Sequence, residues 1–566
     1  MPLHIKAPRK VNIVQKPPKP SNDFREWSSR WSAAKAARES QEREWSRFNR
    51  YYKNQFYANP NTQDTTRITV NQIFVLVGIY ESITCAKNPY IYVKPTRPEF
   101  AVAAVLNESL LNYYWRELNV KQTIRRCVRD GILSSIGHVD LGYSSVFDNE
   151  EVVRRKGPYI QRLSPLNVWL DPDAEYSGDR TEYFRVTREI WPFHCFKEKW
   201  PEAAPYVNLY KPSWPNKEAT RMDIQTPTNI ARDDALARVS VYRIQDLEND
   251  VFKWFCDGYP DWLDEMDNPF DVEGFLTESL IFHEIPENVY GMSVIRPAEG
   301  QQIELNRIRT MWMNHRKRFN RRYLAGAGAF APGQDGNNQR ELLKRGEDGS
   351  ICEVNDISQL KALEDASMPA DVAEHELRVK EDWRDMTVVN EYLRSGAVPR
   401  IKTAYETSEI VAGTKLRLGT LVDDVREFNL RIARKLSQIL QQKLPEPIVV
   451  QIAGPKGLAW GQYNRKQIQG EFELLIYPGE MMPRDEERSR LLAERFYQTF
   501  RPDPNADQRR VLRKSLEMWG IEDPDSFITQ GQVMPFQAGG AGKEAGGTMS
   551  GMLKALKGGL TPGEGM

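Results

Sequence analysis

A chain of 566 residues sets a soft expectation of three or four domains, and its 40% apolar composition is ample for real cores. Lys+Arg and Asp+Glu both number 78, so the net charge is zero; a protein whose whole task is to grip nucleic acid is usually basic overall, whereas balance permits local patches of either sign. No apolar run approaches the roughly 18 residues of a membrane span, and the opening MPLHIKAPRKVNIVQKPPKP lacks the apolar stretch of a signal peptide.

Residues 1–22 read as a flexible, Pro- and Lys-rich arm. Ser21 or Asp23 then caps a predicted helix running to about Tyr57, with Trp27, Trp31, Trp45, Phe48, Tyr52 and Phe56 on related faces. Apolar periodicity predicts further helices over Asn71–Cys85, Phe100–Leu118 and Val120–Ile136, with a short strand at Tyr90–Lys94. Alternating patterns predict strands at His138–Phe147 and Glu151–Arg162, turned by Asp148 and Asn149, then at Leu166–Leu170, Tyr183–Ile190, Val239–Leu247, Val251–Cys256 and Ser279–Glu284. A helix falls near Pro192–Lys199, residues 201–235 read as irregular, and Asp261–Asp271 reads as an acidic loop. The sum, residues 23–296, is an α+β body.

Three helical patterns follow. The first, Pro297–Arg322, starts on a proline suited to a first helical turn, carries Ile303, Leu305, Ile308, Met311, Trp312 and Phe319, and ends in a basic run. The second, Ala370–Leu393, places Val372, Val379, Trp383, Met386, Val389 and Leu393 on one face. The third runs from Thr403 to Lys443 with the cleanest stripe in the chain, Leu421, Val425, Phe428, Ile432, Leu436 and Ile439; Thr403 and Glu406 form a capping box and Pro445 stops it. About forty helical residues span roughly 60 Å, longer than a compact domain is wide. Inserts Tyr323–Ala366 and Arg394–Lys402 separate the three. Beyond them, strands are expected at Ile448–Ala453 and Phe472–Tyr477, returning into the sheet of the body. Helices at Arg484–Phe500 and Asp507–Trp519 and a disordered Gly-rich tail over 531–566 complete the chain.

No catalytic constellation emerges. GGAGKEA at Gly539–Ala545 lacks both the spacing and the Ser/Thr of a P-loop, and AGAGAFAPG at Ala325–Gly333 follows a helix where a dinucleotide fingerprint would precede one. His194 and Cys195 adjoin on a helix, where neighbours in sequence rarely face each other. Asp171, Asp173, Glu175 and Asp179 lack a full calcium-loop ligand set and read as a polar turn. Cys85, Cys127, Cys195, Cys256 and Cys352 fall at no metal spacing and read as reduced thiols. Cofactor, metal and enzymatic activity are expected to be absent.

The order helix, Gly-rich insert, returning helix, basic loop, long helix, together with SPLNVWLDPDAE, ENVYGMSVIRPAEGQQIELNRIR and TAYETSEI, resembles the portal proteins of tailed bacteriophages over roughly residues 25–525. The likeness lies in the sequence of parts. It implies an α+β portal fold, mainly α-helical by residue count: wing 23–296, stem helix 297–322, α/β clip 323–366, stem helix 367–393, tunnel loop 394–402, long wing helix 403–444, returning wing strands 445–482 and helical crown 483–530. It implies a dodecameric ring at one capsid vertex, the head–tail junction of the virion, assembled in the host cytoplasm. Double-stranded DNA would pass through without sequence reading during packaging and ejection. The terminase large subunit, the head–tail adaptor and the major capsid protein would be partners, with scaffold as a further candidate and no membrane.

By that resemblance Arg394, Arg400 and Lys402 face DNA, and Arg340, Lys344 and Arg345 lie on the clip's docking surface. The cluster His315, Arg316, Lys317, Arg318, Arg321 and Arg322 closes the first stem helix, where it can touch DNA, pair with a neighbouring subunit, or favour the carbonyl end of the helix. Two other readings stay open: a different head–tail connector or baseplate component, and a metal-dependent nucleic-acid enzyme with a dispersed carboxylate site.

Overall fold

Ser21 opens the first helix, α1 (Asn22–Tyr52), its hydroxyl accepting from the Phe24 amide at 3.2 Å while Asp23 sits in the first turn. The computed structural model describes residues 19–57, 67–144, 157–210, 234, 236–319, 323–326, 329–330, 337–341, 353–362, 371–387, 404–444, 448–454, 457–463, 468–476, 486–502 and 508–519. The chain divides into two units, Met1–Ile452 with Trp460–Arg484, and Ala453–Ala459 with Asp485–Met566. The predicted arm 1–22 lies outside the described residues up to 18, and the predicted tail 531–566 lies outside entirely.

The first unit is α+β. Helices α2 (Gln72–Thr84), α3 (Ala101–Glu117), α4 (Val120–Ser134) and α5 (Phe193–Lys199) accompany two larger antiparallel sheets. One has three strands in the order β3-β2-β9, and the other five in the order β4-β5-β6-β7-β8. Strand β1 is Tyr92–Pro95; β2, β3 and β4 are Ile136–Tyr143, Pro158–Leu163 and Val168–Leu170; β5 and β6 are Phe184–Pro192 and Arg238–Asp246; β7, β8 and β9 are Val251–Cys256, Asp264–Asp267 and Thr277–Ile281. Two expectations need correction here. The acidic stretch Asp261–Asp271 contains β8, an edge strand paired with β7. The first helix ends at Tyr52, five residues short of Tyr57.

The tryptophans of α1 are core residues. Trp31 lies 4.7 Å from Trp169, 5.0 Å from Tyr242 and 5.6 Å from Phe255, centroid to centroid. Such tilted and edge-to-face pairs add about 0.5–1.5 kcal/mol each beyond the burial itself. Arg38 is buried on the same helix without being orphaned: it pairs with Glu42, donates to the Pro165, Leu166 and Val168 carbonyls, and lies 3.7 Å over the Trp169 ring. The turn from α4 into β2 is tight: a Cβ on Gly137 would stand 2.2 Å from the Cys127 carbonyl oxygen.

Beyond the body lie α6 (Glu299–Phe319), β10 (Tyr323–Ala325), β11 (Leu360–Ala362), α7 (Asp371–Thr387) and α8 (Ala404–Lys443). A 3-10 turn at Arg296–Ala298, with Pro297 in its first turn, leads into α6. The 40 residues of α8 run about 60 Å at helical rise. Its predicted stripe is the buried face: Leu421, Val425, Phe428, Ile432, Leu436 and Ile439 are all at or below 7% exposure. Polar ties fix the helix as well, through Ser437 to Asn107, Arg431 to Glu278 and Gln442 to Asp271.

The strand pairings after α8 differ from expectation. β12 (Ile448–Gly454) forms a two-stranded sheet with β13 (Gly457–Tyr463), a strand the sequence pattern missed. β14 (Phe472–Leu475) pairs with β1 in a sheet of its own, with Val93 opposite Leu474, rather than joining either larger sheet. In the second unit α9 (Glu486–Phe500) and α10 (Gln508–Trp519) form an antiparallel hairpin, with Gln508 bonded to the Phe500 carbonyl and Arg490 over the Trp519 ring.

Candidate subunit and nucleic-acid interface

The antiparallel pair α6 and α7 is the frame for most of the predicted site. Leu305, Ile308 and Val379 form a small core of their own, joined by Trp312, Val372 and Val70. The spacing is legible: 305, 308 and 312 on one helix and 372, 379 and 383 on the other each mark one helical face. Charge fixes the register. Arg309 reaches Glu376 at 2.8 Å, and His375 Nε2 lies 2.8 Å from Glu304. Glu376 is 8% exposed and also takes Lys380 at 2.5 Å, so its charge is doubly compensated.

A second, polar stripe on α6 holds the segment before α2. Gln302 accepts from the Gln72 amide at 2.9 Å and donates to the Val70 carbonyl at 2.7 Å. Asn306 accepts from the Val70 amide and Thr310 from the Ile68 amide. Removing the buried Gln302 takes one hydrogen bond from the Gln72 amide and one from the Val70 carbonyl, which keep only their 3.0 Å bond to each other, a cost of about 1–3 kcal/mol. Gln302→Ala is therefore expected to destabilise the protein by that amount and to speed amide exchange at Gln72, whose N–H donates to Gln302, as hydrogen-exchange mass spectrometry would read.

At its other end α7 is tied to the body: Trp383 belongs to the main core, and the Tyr80 hydroxyl donates to the Thr387 carbonyl at 2.9 Å. Where α6 ends, β10 pairs antiparallel with β11, Tyr323 opposite Ala362, so the insert between the helices is closed at its base by a two-stranded sheet. Within it the Asn355 amide bonds to the Ala329 carbonyl, Gly326 to Gln359, and Phe330 is buried.

Of the predicted site residues, Arg316 stands exposed near the end of α6 and His315 is half-buried beside it. Lys317 and Arg318 lie in the same helix, while Arg321 and Arg322 fall outside the described residues. Arg340 is exposed, its guanidinium 5.3 Å from the Phe330 ring centroid; Lys344 and Arg345 lie outside the described residues. So do Arg394, Arg400 and Lys402, with the whole of 388–403. The outer faces of the helix pair carry Met311, Leu377 and Met386 at 57%, 60% and 47% exposure.

Sequence reasoning missed the charged network behind the sheets. Asp140 of β2 accepts from Arg243 of β6 at 2.8 Å and from Thr277 at 2.9 Å. Arg185 is clasped by Glu182, and Glu278 by Arg431 and Lys435 of α8. Burial pushes the Glu278 carboxyl up, but Lys435 and Arg431 outweigh it and hold it below its ordinary range. Glu182 and Arg185 are near neighbours in sequence, but the partners of Asp140 and Glu278 lie more than a hundred residues away, so no spacing could announce them. A cleft of about 670 Å³ opens over this network, lined by Arg185, Glu278, Asp424, Glu427, Arg431 and Lys435 among others. There Asp424 is pushed up to about 6 by burial, then by Glu427, Glu284 and Asp423.

The remaining candidates resolve locally. Both Asp171 oxygens accept backbone amides, from Asp173 and Tyr183, as a polar turn uses them. His194 is exposed on α5 and Cys195 half-buried next to it. Among the described residues no His, Cys, Asp and Glu group could hold a metal ion, and no helix is long and apolar enough to cross a membrane. No protein-family model and no curated protein matches the chain.

Proposed function

We propose that this chain is the subunit of a phage portal, a dodecameric ring at one capsid vertex through which double-stranded DNA is packaged and ejected and on which terminase and the head–tail adaptor dock. The observation that carries the reading is the run from 299 to 443. An antiparallel helix pair opens at one end into an insert fenced by a two-stranded sheet, and a 40-residue helix follows whose stripe from Leu421 to Ile439 is buried in an α+β body. In this reading the pair is the stem, the insert the clip, residues 394–402 the tunnel loop, and α9 with α10 the crown.

The mechanism is geometric. Copies closed into a ring place their stems around a hole, and the exposed Met311, Leu377 and Met386 are covered by neighbouring stems. A ring of basic loops adds screened, sequence-independent attraction to phosphate, enough to keep the duplex centred without arresting it. Motor energy comes from a separate ATPase.

Negative-stain images down the symmetry axis, with mass photometry, test the assembly. Rings with an aperture wider than a duplex, about 20 Å, are expected; a persistent monomer, or a ring with no such hole, overturns the reading. Replacing Arg394, Arg400 and Lys402 together by Ala is expected to leave rings intact while lowering DNA packaging or retention. Loss of the rings themselves would make those residues structural.

A further inference from the structure

The cleft over the Glu278 network carries more acid than that network uses. Arg185 is taken by Glu182, and Arg431 and Lys435 by Glu278. Six carboxylates remain on its walls, Asp179, Glu248, Glu273, Glu284, Asp424 and Glu427, with no salt bridge among the described residues. Against them stand two guanidiniums in the same condition, Arg180 and Arg434. Like charges therefore share a volume of about 670 Å³. The crowding shows at the half-buried Asp424, pushed up to about 6 by burial and then by Glu427, Glu284 and Asp423. One wall also offers an aromatic surface: Tyr183 is 53% exposed, next to Leu247.

We infer that this cleft is the docking site of the chain's own N-terminal arm, residues 1–18, held by its cations on those carboxylates and by its prolines on Tyr183. The arm carries Lys6, Arg9, Lys10 and Lys16 and no acidic residue. Its four positive charges equal the surplus of unpaired carboxylates over unpaired guanidiniums on the walls. Pro2, Pro8, Pro17 and Pro18 favour the extended polyproline form that packs on aromatic side chains. The point of departure fits as well. Ser21 donates to Asp261, and Asp23 takes Lys253 of β7 and the Trp262 indole, which fixes the start of α1 on β7. Glu248, in the turn between β6 and β7, lines the cleft five residues from Lys253, at most about 17 Å along the strand. Eighteen residues extend to about 60 Å, ample for that span. Tethering holds the arm at an effective concentration of the order of millimolar, so ion pairs that are individually weak in water suffice together. A nucleic acid is excluded by the sign of the walls, and a neighbouring copy's arm lacks the tether.

The test is carbodiimide coupling of the full-length protein, which joins an amine to a carboxylate in contact with it, followed by peptide mapping. Links from Lys6, Lys10 or Lys16 to Asp424, Glu427, Glu284 or the other wall acids are expected. Their yield should fall about fivefold between about 50 and 500 mM salt, as screening weakens the pairs. Mixing isotopically light and heavy protein separates the chains: links within one chain support the docking, and links between copies overturn it in favour of a neighbour's arm. Trimming of the arm by proteinase K gives a second readout. It should run about tenfold faster in the triple variant Glu284→Gln, Asp424→Asn, Glu427→Gln, which releases the arm from its tethered contact. Changing Lys6, Arg9, Lys10 and Lys16 to Gln should speed it equally, and leaves the body untouched if the triple variant fails to fold. Absence of links to the wall acids, or trimming as fast in the unaltered protein as in these variants, overturns the inference. Cleft and arm belong to one chain, so the result stands apart from whether rings form.

Discussion

Replacing Asp140 by Ala is expected to destabilise the first unit by about 3–5 kcal/mol, because it leaves a buried guanidinium without its main counter-charge. Asp140 is 1% exposed and Arg243 4%. Arg243 donates to one Asp140 oxygen, Thr277 donates to the same atom, and the Tyr159 hydroxyl donates to the other at 3.3 Å. With Asp140 gone, the nearest other carboxylate to Arg243 is Glu189, at 3.8 Å and itself a third exposed. The pair joins β2 of one sheet to β6 of the other, so the loss should loosen both. The measurement is the shift in denaturant midpoint, read beside the double variant Asp140→Leu with Arg243→Met. Apolar replacement of both partners removes the stranded charge and is expected to recover most of the loss. A single variant costing under about 1 kcal/mol would mean that water reaches Arg243 and that the network does not join the sheets.

How far the sequence could be read depends on whether a feature repeats along the chain or closes across it. The stripe of α8 repeats every three or four residues over five turns, and each of its predicted apolar positions is buried. The pairs Arg309–Glu376 and Asp140–Arg243 close across 67 and 103 residues, and nothing local marks them. Acidic β8 escaped for a different reason: Asp264–Asp267 has little strand propensity, and backbone bonding to β7 holds it at the sheet edge. Gly457–Tyr463, with two glycines, gave an equally weak strand signal. The α+β character of the body and the antiparallel stem-like pair follow from periodic signals. The loop carrying Arg394, Arg400 and Lys402 falls outside the described residues, and its role rests on resemblance.

As the pH falls below 6.5, the protein should lose stability with a slope to which His138 alone contributes up to about 1.4 kcal/mol per pH unit. His138 lies on β2 at 0% exposure, its Nδ1 3.0 Å from the Ser279 hydroxyl of β9 and its Nε2 buried with no hydrogen-bond partner. Burial, then the guanidiniums of Arg185, Arg38 and Arg162, hold its pKa well below the ordinary value. The folded state therefore keeps the ring neutral while the unfolded chain takes up a proton near pH 6.5. Its contribution is complete above that pH and is lost progressively as the pH falls toward the depressed folded value. His283, also lowered by burial, acts in the same sense. Asp424 acts in the opposite one: raised to about 6 when folded, it binds a proton in the folded state first and adds stability as the pH drops from 6 toward 4. Glu278, held below its ordinary range, gives up its share only below about pH 4.5. Comparison with His138→Asn cancels the other three groups. The difference in unfolding free energy between the two proteins, measured at pH 7, 6 and 5, should shift by about one proton's worth per unit below 6.5. Parallel curves would mean that His138 is already charged in the fold, compensated by a carboxylate such as Glu182 or Glu42, the partners of Arg185 and Arg38.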